Sequence, residues 1–208
     1  MKSPIYERFV FPSGCSLTDQ EQIAKDVLIY LFNPCLKYVF AKKNKEAFKQ
    51  YAFNTCRQTA VLGAYFLHKL LPGYTVRVFE AYCKDVLCGN KVDYIHAFTV
   101  ATSPAGENIL LDISRTVKRL LFHKFNDWDS IYPSVDEYST MKIISMREID
   151  WELALAEENE YFTGWNIRYL LDVVVNHMYS LLSSSPCDFT SFYRSMYSSF
   201  AAFGSFID

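Results

Sequence analysis

The apolar residues Ile23, Val27, Leu28 and Leu31 recur at three- and four-residue spacing, which is one face of a helix. Thr18-Asp19-Gln20-Glu21 opens that helix, because a Thr followed three residues later by Glu is a capping box. Pro34 kinks or ends it. A stronger segment runs from about Asn54 to Leu71. Its apolar stripe is Cys56, Ala60, Ala64, Leu67 and Leu71, with Val61 alongside. Asn54 or Thr55 can cap it through a side-chain oxygen, and Pro72-Gly73 ends it.

The period then changes. Thr75 to Tyr82, Val92 to Ala101 and Asn108 to Ile113 alternate or carry β-branched and aromatic residues, as strands do. Ser103-Pro104-Ala105-Gly106 is a turn between the last two. After Asp112 the pattern reads as helical. Ile149 to Glu158, Trp165 to Leu182 and Phe189 to Phe203 are the expected helices, with a helix-ending turn at Ser183-Ser184-Ser185-Pro186. Helices, then strands, then helices indicate an α+β fold and not an alternating parallel sheet. The expectation is one domain over residues 1–208, with N-terminal helices on an antiparallel sheet. Its core lies at about 50–115 and a helical extension at about 145–208.

Half of the 208 residues are apolar and 17% are aromatic, enough to bury a sizeable core and to exclude disorder over the whole chain. A net charge of -2 gives no basic field for nucleic acid, and no basic amphipathic helix points to a membrane surface. The N-terminus, Met1 to Arg8, lacks the apolar run of a secretory signal. Tyr169 to Leu182 is interrupted by Asp172, Asn176 and His177 and is too short to span a bilayer. The chain is therefore expected to be cytoplasmic as synthesised, without a cleaved signal. Six cysteines in such a chain read as reduced thiols. Cys83 and Cys88 have no second pair to complete a zinc site, so neither a metal nor a cofactor is expected.

Three residues stand out as candidate chemistry. Cys56 lies in the first turn of its helix, where outward-pointing amides favour a thiolate. The plain alternative is a small buried thiol on an apolar stripe. His96 interrupts the strand run Val92 to Val100, and a strand histidine needs a partner for its ring. Asp112 interrupts Ile109-Leu110-Leu111-Asp112-Ile113, where an unpaired charge is costly. A turn centred near Pro104 places Asp112 opposite His96, on the same face. Half a residue of shift in the turn centre would bring Ile113 there instead. Thiol, imidazole and carboxylate are the parts of nucleophilic acyl transfer.

The segments Asn54-Thr55-Cys56-Arg57-Gln58-Thr59-Ala60, Tyr94-Ile95-His96-Ala97-Phe98 and Leu110-Leu111-Asp112 resemble the transglutaminase-like core of the papain-like superfamily. There a Cys opens a helix, a His-Ala pair lies in the next strand, and an Asp follows in the adjacent strand. The gaps of 40 and 16 residues resemble those of bacterial transglutaminase-like cysteine proteinases and of glutamine-deamidase effectors related to the Pasteurella toxin C-terminal domain. The resemblance covers roughly residues 50 to 115. It implies a cysteine protease, deamidase or transglutaminase acting on a protein substrate through Cys56, His96 and Asp112. Effector relatives also imply export into a host or target cell. Gln50 precedes Cys56 by six residues, a spacing that resembles papain's oxyanion-hole Gln, and Asn54 is its rival. Arg57 departs from the aromatic residue that often follows the Cys, and the Gly-rich approach is missing, so the substrate class stays open.

A second reading is a non-catalytic protein-binding module that keeps the fold, with the aromatic residues Phe189, Phe192, Tyr193, Tyr197, Phe200 and Phe203 as a partner face. His68 is about three turns from Cys56, too far to be its base. His123 and His177 read as structural. Oligomeric state is left open.

Overall fold

The computed structural model describes residues 17–33, 35–36, 55–87, 89–116, 119–132, 140–157, 160–161 and 165–184. Pro34, Gln50, Asn54, Cys15, Cys88, Cys187 and the expected helix Phe189 to Phe203 lie outside them.

Helix α1 (Asp19–Val27) begins as its capping box dictates, with the Thr18 hydroxyl accepting from Glu21 and the Glu21 carboxylate accepting from the Thr18 amide. A π-helical turn, Leu28–Phe32, continues it. Helix α2 (Cys56–Leu70) follows Thr55, which holds the N-cap position without a capping side-chain hydrogen bond. Three long strands come next: β1 (Thr75–Leu87), β2 (Asn90–Thr102) and β3 (Asn108–Thr116). Each extends beyond its expected bounds, and β1 and β2 do so up to a tight hairpin around Gly89, whose φ of 82° suits glycine.

The helical reading after Asp112 is corrected in two places. Strands β4 (Arg119–Phe125) and β5 (Lys142–Ile149) complete an antiparallel five-stranded sheet in the order β4-β3-β2-β1-β5. Leu120 and Phe122 pack into one hydrophobic cluster, while Leu121 and Phe125 pack into the other. A strand covered on both faces reads as a continuous apolar run, without the alternation that marks a strand. β5 carries the opposite handicap. It is an edge strand, largely exposed, so little burial patterns its sequence. Helix α3 (Trp151–Ala156) starts after it, capped by Asp150. The two-residue strands β6 (Glu160–Tyr161) and β7 (Trp165–Asn166) pair, and α4 (Ile167–Ser184) follows.

Alternation divides the sheet into two faces. Val78, Ala97, Ala101, Ile109, Leu111 and Ile113 belong to clusters shared with α2. Phe79, Ala81, Phe98, Val100 and Leu110 point the other way, beneath Trp128, Ile131 and Tyr132. Helix α2 lies close on its face because Gly63 has no side chain. A Cβ there would stand 2.9 Å from a Leu111 methyl. The Thr99 hydroxyl donates to the Ala60 carbonyl at 2.8 Å and ties helix to strand one turn from Cys56.

The β2–β3 register differs from expectation by two residues. Thr99 faces Leu111 and Thr102 faces Asn108, so the hairpin is centred on Ala105. The cause is the turn: Ser103 donates to the Glu107 carbonyl, and Gly106 sits at a φ of 86°, which lengthens the loop by Glu107. Position 112 therefore falls beside Phe98, and His96 lies diagonal to it. A shift of two preserves the face, because side chains alternate with period two.

Candidate active site

His96 and Asp112 lie just past the paired part of the β2–β3 ladder. Both are buried, at 4% and 1% exposure. His96 Nε2 and Asp112 Oδ2 are 2.7 Å apart, the length of a charge-assisted bond. Diagonal cross-strand neighbours are within reach of long side chains. The expected pairing of the two is thus present, reached by a diagonal and not by direct opposition.

A third group completes this pair. The Tyr132 hydroxyl donates to the same Asp112 Oδ2 at 2.8 Å. Tyr132 follows the 3-10 turn Trp128–Ser130, and its backbone neighbour is fixed in turn. His123 Nε2 lies 3.0 Å from the Ile131 carbonyl. A carbonyl only accepts, so Nε2 carries the proton. Burial holds His123 below the ordinary histidine range despite that bond, so the ring is neutral. Tyr94, Phe98 and Tyr132 set aromatic rings 6.3–6.4 Å from the His96 ring. Sequence reasoning missed Tyr132. Nothing in Asp127-Trp128-Asp129-Ser130-Ile131-Tyr132 marks it, since a lone Tyr after a turn has no periodicity.

Cys56 approaches from the other element. It is a free thiol, half-buried at the N-terminus of α2, packed against the Ala60, Ala64, Val78 and Ala97 cluster. Its Sγ donates to the carbonyl of Ile95, the residue before His96, at 3.9 Å. That is a long, weak bond. The thiol therefore sits between the Ile95 carbonyl and the His96 ring, within hydrogen-bonding reach of the imidazole, and such contacts are often loose before substrate binds.

The His96 ring still responds to the sulfur. Burial would pull the imidazolium down. The charge and hydrogen bond of Asp112 outweigh that burial, with the nearby Cys56 adding in the same direction. The ring is held above its ordinary 6.5, at about 10. With Nε2 committed to Asp112, Nδ1 is the nitrogen left for the thiol. This reverses the usual serine-triad arrangement, in which Nδ1 faces the carboxylate.

Arg57, next to Cys56, pairs with Glu80 at 3.4 Å, and Arg147 from β5 bonds the same carboxylate. Glu80 thus joins the residue after the nucleophile to the edge strand β5. Tyr82 and Ile95 are cross-strand partners on the same face, and both are exposed. His68 is exposed, with its ring tilted 5.7 Å from that of Trp151, and His177 is half-buried on α4. The two oxyanion candidates, Gln50 and Asn54, lie outside the described residues. Among the described residues no group of His, Cys, Asp or Glu is arranged to hold a metal ion. No described helix is long and apolar enough to cross a membrane.

Comparison with known proteins yields no matching family model, curated protein or solved structure.

Proposed function

We propose that the chain is a thiol hydrolase or acyltransferase of papain/transglutaminase-like architecture, acting on peptide or glutamine carboxamide bonds of a protein substrate. The observation that carries this reading is the buried 2.7 Å bond between His96 and Asp112 beside a half-buried Cys56 at a helix N-terminus. Burying an Asp and a His together in a sheet costs desolvation free energy, and such perturbed pairs cluster at functional sites. Here they sit beside a sulfur within hydrogen-bonding reach of the ring.

In that mechanism the Cys56 thiolate attacks the acyl carbon. His96, protonated, gives its Nδ1 proton to the departing amine or ammonia, leaving a thioester. The neutral ring then takes a proton from water or from an acceptor amine, whose attack frees Cys56. Asp112 holds Nε2–H throughout, which fixes the tautomer and supports the imidazolium. The α2 amides at Cys56 supply part of an oxyanion site. Peptide cleavage, deamidation and transamidation share this acyl-enzyme and differ only in leaving group and acceptor.

One observation favours the second reading, a binding module that retains the fold: the thiol also bonds, at 3.9 Å, to the backbone carbonyl of Ile95. Candidate protein substrates incubated with the chain and read by mass spectrometry test the proposal. A gain of about one mass unit at a Gln shows deamidation, and new termini show proteolysis. Neither product, with Cys56 no more reactive than Cys35 or Cys83, leaves the binding module.

A further inference from the structure

Two donors meet on a single oxygen in the core of the site. Asp112 Oδ2 receives His96 Nε2 at 2.7 Å and Tyr132 Oη at 2.8 Å, and all three residues are buried. A phenol that donates to a carboxylate withdraws part of its charge. It does so most when that charge stands alone, after the imidazolium has given up its proton. The phenol therefore stabilises the deprotonated side of the equilibrium more than the paired side.

We propose that Tyr132 is a positioning residue that moderates the hold of Asp112 on the His96 proton, so that the imidazolium can release it to a leaving group. The proposal rests on the thiol-enzyme reading above. It supplies what that reading lacks. A ring gripped only by a buried carboxylate binds its proton too tightly for acid catalysis near neutral pH, where an acid works best with a matched affinity. The high proton affinity of His96 is in keeping with a need for such a counterweight.

The Tyr132 hydroxyl is not placed by chance. His123, on β4, donates Nε2–H to the Ile131 carbonyl and so fixes the backbone one residue before Tyr132. Among the described residues His123 Nδ1 is buried without a partner. A second proton there would have no acceptor, so the neutral ring that makes this tie is the favoured one. The ring of Tyr132 also packs edge-on against Phe98 at 5.8 Å, which restricts its swing. The titratable groups around His96 are Cys56 from α2, Cys83 from β1, Tyr94 from β2 itself, Asp112 from β3, His123 from β4 and Tyr132. Of these, Asp112 is the anion that receives Nε2–H, Cys56 as a thiolate adds to the hold on the ring, and Tyr132 donates to Asp112 beside His96.

The test is the NMR titration of the His96 ring in the wild-type chain and in Tyr132→Phe. If the phenol moderates, His96 holds its proton to a pH about one unit higher in the variant. If the phenol only keeps Asp112 in place, the carboxylate drifts and the midpoint falls. A lowered or unchanged midpoint overturns the proposal. His123→Leu, which frees the Ile131 carbonyl, is expected to raise the midpoint by a smaller step. His123→Gln, whose amide can still donate, is expected to leave it at the wild-type value; equal midpoints in the Leu and Gln variants contradict the tie. Should Tyr132→Phe fail to fold, the wild-type spectrum decides. The Tyr132 hydroxyl proton must shift as His96 titrates, and one that stays still overturns the shared oxygen. No turnover is needed for any of these readings. A chain with an inert Cys56 but a raised midpoint in Tyr132→Phe would defeat the enzyme reading and leave the moderating bond standing.

Discussion

His96 and Asp112 bond across a diagonal of the β2–β3 hairpin, from Nε2 to Oδ2 at 2.7 Å, while their backbones sit two register steps out of direct opposition. The consequence is directional. A diagonal bond draws the Asp112 carboxylate along the strand toward His96 and leaves the same oxygen accessible to Tyr132.

Replacing Asp112 with Asn keeps the shape but not the charge. The amide can turn its NH2 toward Nε2 and select the wrong tautomer, so turnover is expected to fall by about four orders of magnitude, as in the serine template. The measurement is the pH profile of Cys56 alkylation in both proteins. Identical profiles would remove Asp112 from the mechanism and reduce the site to a Cys–His pair.

The same bond predicts a pH dependence of stability. His96 has a folded-state value raised above 6.5, to about 10. The folded chain thus binds a proton that the unfolded chain loses first. The stabilisation is complete below pH 6.5 and is lost as pH rises through about 10. Thermal midpoints of the wild-type chain should decline across that window, and the decline should flatten in Asp112→Asn. An equally steep decline in both would assign it to other groups.

At the other end of the pH range stands Glu21. It is fully buried on α1, yet its carboxylate accepts from the Thr18 amide, from Tyr74 and from Lys124, 3.1 Å away. Burial raises its proton affinity, but these donors prevail and hold the group below the ordinary 4.5. Its contribution is present above that value and is lost as pH falls through the lowered one. Glu21→Gln should cost about 1–3 kcal/mol at neutral pH and flatten the acid limb in urea unfolding. Unchanged unfolding at neutral pH would mean that the network is energetically idle.

The element kinds around the site were legible because each had a local signature: the capping box at Thr18, the stripe from Cys56 to Leu71, and the two polar interruptions His96 and Asp112. The strands β4 and β5 were not legible, for opposite reasons. Burial on both faces erased the alternation in Leu120-Leu121-Phe122, and exposure removed the apolar pattern from Lys142 to Ile149. The register was missed by two because the loop includes Glu107, a residue with no turn signature. The face survived because an even shift preserves it. Tyr132 was beyond reach. It joins the site through tertiary packing alone, 20 residues from Asp112 in sequence.

Thr99 offers a test of how α2 is held. Its hydroxyl donates to the Ala60 carbonyl at 2.8 Å, which already serves the helix. Thr99→Val keeps shape and strand preference, so the loss should be about 1 kcal/mol. If α2 placement governs the thiol, Cys56 alkylation should slow as well. A stability loss with unaltered alkylation would confine Thr99 to packing.

Activation of Cys56 by His96 is the step on which the proposed chemistry depends. Iodoacetamide labelling near neutral pH, mapped by mass spectrometry over the cysteines, measures this directly. The prediction is fast, selective labelling of Cys56 ahead of the buried Cys35 and Cys83, with that advantage lost in His96→Gln at a temperature where circular dichroism shows the variant still folded. Cys56 labelling at the same rate in His96→Gln and wild type would contradict it and leave the thiol as packing at the start of a helix.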